Sequence, residues 1–129
     1  MDSLGIVRTR YRKGTYPDVM VIAGKPVFHD NLTDEVLNPC LIVEVLSEST
    51  AGYDQGDKFL YYRSIPEFRE YLLVSQSEYF IEDYRKTGEG QWLLQEYRGN
   101  EAEIALESVK ISLVVKNIYE GVNFELAEE

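Results

Sequence analysis

The chain is short of the residues on which many small catalytic sites and secreted scaffolds rely. Cys40 is its one cysteine, so no disulfide can form within it. A reducing, cytoplasmic setting fits that usage. His29 is its one histidine. It falls in a polar stretch that reads as a loop, where a lone histidine is more often a surface residue than a ligand. No Ser–His or Cys–His pairing suggests itself, so nothing points to an activated side-chain nucleophile. No apolar run approaches the ~20 residues of a membrane span, and no secretory signal is recognisable. Positive charge is also scarce. Lys and Arg number 13 against 23 Asp and Glu, for a net charge of −10. That balance argues against a general nucleic-acid coat protein, whose binding rests on basic surface. It does not exclude a nuclease, in which only the cleft must be positive and acidic metal ligands add to the negative total.

What remains is an ordinary globular composition. With 129 residues, 44% of them hydrophobic and 28% charged, the chain can build one core and is not disordered. No internal repeat or low-complexity tract divides it, so residues 1–129 are expected to form a single domain.

The chain is organised around Leu41 to Ser49, Leu-Ile-Val-Glu-Val-Leu-Ser-Glu-Ser. A continuous apolar run rich in Val and Ile suggests a central strand buried on both faces. Glu44 interrupts it. A carboxylate there costs several kcal/mol unless something pairs with it or binds it. Two readings stand side by side: a group facing a cation, metal or wet cleft, or one that points to an edge and caps a loop. Cys40, at the start of the strand, reads as a small buried hydrophobe.

Before this strand, Ile6 to Lys13 alternates at period two, which puts Arg8, Arg10 and Arg12 on one face. They and Lys13 are either a solvated strand face or a stripe that follows phosphates. Asp18 to Ala23 reads as a second strand, with Pro17 at its entrance, where a missing N–H is tolerated. Val27 to Asn38 reads as a long irregular connection. After the core strand, a loop of N-cap residues leads to a helix over Asp54 to Ile65. Phe59, Leu60, Tyr62 and Ile65 would bury its apolar side, and Pro66 ends it. Asp54, Lys58 and Tyr62 fall along one broad face. Glu70 to Val74 is the next strand, expected parallel to the core strand because a helix joins them. Four further segments, Glu78 to Arg85, Trp92 to Arg98, Ala102 to Leu106 and Ser112 to Val115, read as an antiparallel meander extending the sheet. Lys116 to Glu120 reads as a short terminal turn.

Asp18, Glu44 and Lys58 therefore stand on consecutive elements. Strands lie ~4.8 Å apart, so two carboxylates facing the same way can share one cation. Mg²⁺ suits such a site, with waters completing its shell and the Val45 carbonyl as a further oxygen donor. By spacing alone this is a weak signal, and three residues satisfied by salt bridges would look the same.

The motifs together are more specific. Pro17-Asp18, then Val43-Glu44-Val45-Leu46-Ser47 with Ser49-Thr50, then Asp54, Lys58 and Tyr62, then Pro66-Glu67 and Glu70-Tyr71-Leu72-Leu73-Val74 resemble the Uma-type putative restriction endonuclease family of the PD-(D/E)XK nuclease superfamily. The resemblance runs from about Tyr16 to about Tyr84. It implies that Asp18 and Glu44 are the metal-binding and catalytic acids. Leu46 stands where the superfamily lysine is usual, and Lys58 on the following helix would replace it. The implied fold is α/β (α+β), a restriction-endonuclease-like mixed sheet with a flanking helix. The implied activity is hydrolysis of phosphodiester bonds in DNA with Mg²⁺ (or Mn²⁺); the rival reading is an inactive fold that binds nucleic acid or protein. Relatives of that type carry a longer N-terminal region with a helix and another glutamate. Without that helix one sheet face would lie bare, which predicts a homo-oligomer, most simply a dimer.

Overall fold

The computed structural model describes residues 6–8, 14–15, 18–22, 24–25, 27, 35–46 and 54–120. Its centre is a five-stranded mixed sheet in the order β3-β5-β6-β7-β8. These strands are β3 (Val19–Val21), β5 (Leu41–Leu46), β6 (Glu70–Ser75), β7 (Phe80–Lys86) and β8 (Trp92–Arg98). β3 runs antiparallel to β5, β5 parallel to β6, and β6, β7 and β8 antiparallel in turn. The parallel pair needs a crossover, and the segment with helix α1 (Phe59–Tyr62) supplies it. Three short strands form a separate sheet in the order β2-β1-β4, with β1 (Ile6–Arg8), β2 (Gly14–Thr15) and β4 (Glu35–Val36).

Both faces of the large sheet are packed. Residues two apart share a face, so Ile42 and Glu44 look one way while Leu41 and Val43 look the other. On the first face Met20, Ile42, Tyr71 and Leu73 pack against Phe59, Tyr62, Ile65 and Phe68. Phe59 stacks on Tyr71 at 5.0 Å and meets Trp92 edge-on at 5.0 Å. Trp92 is thus a packing residue, as its place in an alternating strand implies. On the second face Leu41, Leu72, Val74 and Ile81 pack against Ile104, Leu106, Val115 and Tyr119. Ile104 and Leu106 come from β9 (Glu103–Leu106), whose hairpin partner is β10 (Ile111–Val114), and Val115 and Tyr119 from helix α2 (Val115–Ile118) and the residue after it.

Several expectations need correction. The last two strands do not extend the sheet; β9 and β10 pair with each other and lie over its second face. That hairpin covers the face expected to be bare. The connection before β5 is not wholly irregular, since β4 pairs in parallel with β1. Leu60 does not join the core and is 44% exposed. Nor is β5 buried throughout: Val45 is 47% exposed, so the strand emerges into solvent near its end. Among the described residues no helix is long and apolar enough to cross a membrane.

Candidate active site

The emergence of β5 from the core sets up the site. Val19 pairs with Val43 and Met20 with Ile42 across β3 and β5. One step further along the same register, Asp18 stands opposite Glu44. The Asp18 N–H donates to Glu44 Oε1 at 3.1 Å. In return, the Val45 N–H donates to Asp18 Oδ2 at 2.7 Å. Each carboxylate thus accepts a backbone N–H from the other strand, which fixes both acids at the end of one strand pair. Asp18 is exposed, whereas Glu44 is buried, with only 1% of its surface exposed.

Glu44 shares its face with Ile42 and so points to the helix side. There Lys58 Nζ lies 2.6 Å from Glu44 Oε2, with side-chain exposures of 12% and 2%. The Tyr62 hydroxyl donates to the same oxygen at 3.2 Å. These contacts explain how a carboxylate persists in an apolar strand. An unpaired buried charge costs several kcal/mol, and charge-assisted hydrogen bonds offset that cost. Lys58 closes a π-helical turn over Asp54–Lys58, immediately before α1. A wide turn of this kind is common near functional sites. Lys58 and Tyr62, four residues apart, then present their polar ends to one oxygen.

The structure therefore brings Asp18, Glu44 and Lys58 together, and the edge or loop-cap reading of Glu44 does not hold. It adds Tyr62, which the sequence placed on the right face but gave only a packing role. A signal was present: a tyrosine four residues after Lys58, on the same helix face as the lysine expected to meet Glu44. Val45 contributes its N–H to Asp18. Arg8 closes β1. Arg10, Arg12, Lys13 and His29 lie outside the described residues, as do Pro17, Ser47, Ser49 and Thr50.

The donor set can be tested against a divalent ion. Among the described residues no three of His, Cys, Asp or Glu gather as a metal cage. Mg²⁺ does not require one, because one or two carboxylates with water and substrate phosphate suffice. Asp18 in solvent, Glu44 beneath it and the carbonyl of exposed Val45 are hard oxygen donors at one strand end. They fit Mg²⁺ or Mn²⁺ and would suit a soft-metal site poorly.

A model of the Uma2 family, described as putative restriction endonuclease, matches residues 3–116. The chain belongs to the Uma2 family. It is 54% identical over 96 residues to sll1609, an uncharacterised protein of Synechocystis, covering 74% of this chain and 54% of that one. It is 41% identical over 92 residues to slr1290, another uncharacterised Synechocystis protein, covering 71% of this chain and 48% of that one. This Uma2 chain thus spans about half the length of the curated relatives it matches. The crystal structure of a putative nuclease belonging to DUF820 from Anabaena variabilis superimposes with a TM-score of 0.69 at 15% identity. That match covers 98% of this chain and 68% of the other. At that identity the likeness establishes the fold, which is the restriction-endonuclease-like mixed α+β architecture.

Proposed function

We propose that this Uma2 chain is an endonuclease that hydrolyses phosphodiester bonds in DNA with Mg²⁺ or Mn²⁺. The observation that carries the reading is the meeting of Asp18, Glu44 and Lys58 where β5 leaves the core. Asp18, Glu44 and the Val45 carbonyl would hold the ion. Bound there, the ion would lower the pKa of a water and shield the charge of the phosphate. Lys58 would orient the attacking water or offset negative charge developing on phosphate. Tyr62 acts through Glu44 as a positioning residue, fixing the carboxylate from below. Arg8, Arg10, Arg12 and Lys13 would supply the positive charge that meets the DNA backbone. Buried Cys40 suits a reducing compartment, so we place the protein in the cytoplasm. The whole of residues 1–129 is read as one domain.

One observation favours a second reading. The contacts of Lys58 and Tyr62 to Glu44 would also serve a fold that has lost catalysis and binds nucleic acid or protein. Cleavage of plasmid and single-stranded DNA separates the two. The wild type is expected to cut only with Mg²⁺ or Mn²⁺, and Glu44→Gln is expected to be inert, because it removes a ligand charge while nearly preserving shape. Equal cleavage by both proteins would mark a contaminant and leave the binding reading.

A further inference from the structure

Two buried acids that the candidate site does not use stand on the second face of the sheet. Glu70 opens β6 and Asp83 lies within β7, both with no exposed surface. The register pairs Glu70 with Arg85 and Leu72 with Asp83, so the acids are diagonal neighbours. Glu70 Oε1 accepts the N–H of Ser108 at 3.0 Å and its hydroxyl at 2.6 Å. Ser108 sits in the turn between β9 and β10. Glu70 Oε2 and both Asp83 oxygens are buried without a hydrogen-bond donor. Arg85 comes no nearer to Asp83 than 3.9 Å through Nε, and its Nη2 donates to Gln95 at 2.8 Å. Two ionised carboxylates here would leave three oxygens unsatisfied and would repel each other. A proton between them removes the repulsion and joins two of the three oxygens in one hydrogen bond, since a protonated carboxyl donates one O–H.

We propose that Glu70 and Asp83 share one proton in the folded chain, and that this pair is a pH-sensitive latch holding the β9–β10 hairpin to the sheet. Burial foremost, then the hydrogen bond to Glu70 and the charge of Glu70, push the Asp83 carboxyl up to about 9; Arg85 opposes and Glu107 adds slightly. The other surroundings are accounted for. β5 presents Leu41 and Val43, and β8 presents neutral Gln95 opposite Asp83. Tyr119, after α2, turns its hydroxyl to the carbonyls of Ser75 and Phe80. Cys40, Glu67 and Arg69 line a cavity of about 200 Å³ beside Ser108. The folded chain holds the proton more tightly than the unfolded chain, where Asp83 titrates near 3.8. The stabilisation is therefore complete below about pH 4, declines as pH rises, and is gone above about pH 9. Loss should appear first at the hairpin. Its turn also holds Lys110 at φ 56°, a conformation costly for a residue other than glycine.

Carboxyl ¹³C NMR of the full chain reads Asp83 directly, and it should stay protonated through neutral pH and titrate near about 9. Amide exchange over Glu103–Leu106 and Ile111–Val114, corrected for the intrinsic rate, should lose protection by up to about tenfold per pH unit on the way. Asp83→Asn keeps a donor toward Glu70 without a titrating proton, so its profile should be flat. Parallel profiles for wild type and variant, or an Asp83 carboxyl ionised at neutral pH, would overturn the proposal. So would recovery of protection by Mg²⁺ or Ca²⁺ at alkaline pH in the wild type alone, since a cation would then occupy the pair. If the variant does not fold, the wild-type carboxyl titration decides by itself.

Discussion

Glu44 accepts from a backbone N–H, an ammonium and a phenol, and the two side-chain donors can be removed separately. Lys58→Met keeps length and packing but removes the charge. It should cut cleavage by a large factor while Mn²⁺ still raises the melting temperature, because the lysine acts on water or phosphate and not on the ion. Loss of the thermal shift would instead make Lys58 part of the ion's support. Tyr62→Phe removes one hydrogen bond to a buried charge and should cost about 1–3 kcal/mol in urea denaturation. An unchanged midpoint would mean that the phenol contributes nothing to holding Glu44. At this scale Glu44 was legible in the sequence, since a lone charge in an apolar run has to be explained. Asp83 was not. Glu82 and Asp83 are adjacent in an alternating strand, so one of them must face inward, and the alternation does not mark an acid as buried.

The element that departs most from expectation is the helix. A continuous helix over Asp54 to Ile65 resolves into a π-helical turn and the four residues of α1. Gly56 weakens the first part, and Pro66 disfavours helical geometry at Ile65 before it. A β-carbon at Gly56 would meet nothing within 4 Å, and its φ is not positive. Gly56→Ala should therefore stabilise the fold by about 0.4–1 kcal/mol. Gly99, at φ +92°, should lose more than that on the same change. Equal effects on the urea midpoint would refute this account of the turn. β5 and β6 were readable because long runs of Leu, Ile and Val announce buried strands. β4 was not, since two residues carry no period. The folding-back of β9 and β10 is set by what the sheet's second face needs to cover it, which no local pattern records.

For the whole molecule, charge and assembly govern what the chain can bind. With a net charge of −10, DNA can be held only by a local basic strip. If Arg10 belongs to it, Arg10→Ala should weaken DNA binding and reduce the salt slope by about one unit. The second face is covered, so self-association would have to use another surface. β8 is a sheet edge with Leu93 55% and Leu94 43% exposed, and a two-fold pair is the simplest arrangement there. Light scattering should then give twice the mass of one chain, and a monomer at all accessible concentrations would contradict it. The order of the strands also bears on how the chain folds. β6, β7 and β8 are consecutive hairpins, whereas the contacts joining Asp18 to Glu44 and Val45 span 26 and 27 residues. Local pairings close early, and distant ones wait until the loop entropy has been overcome. The acids should therefore meet after the rate-limiting barrier. A divalent ion would then slow unfolding while leaving the refolding arm of the chevron where it was.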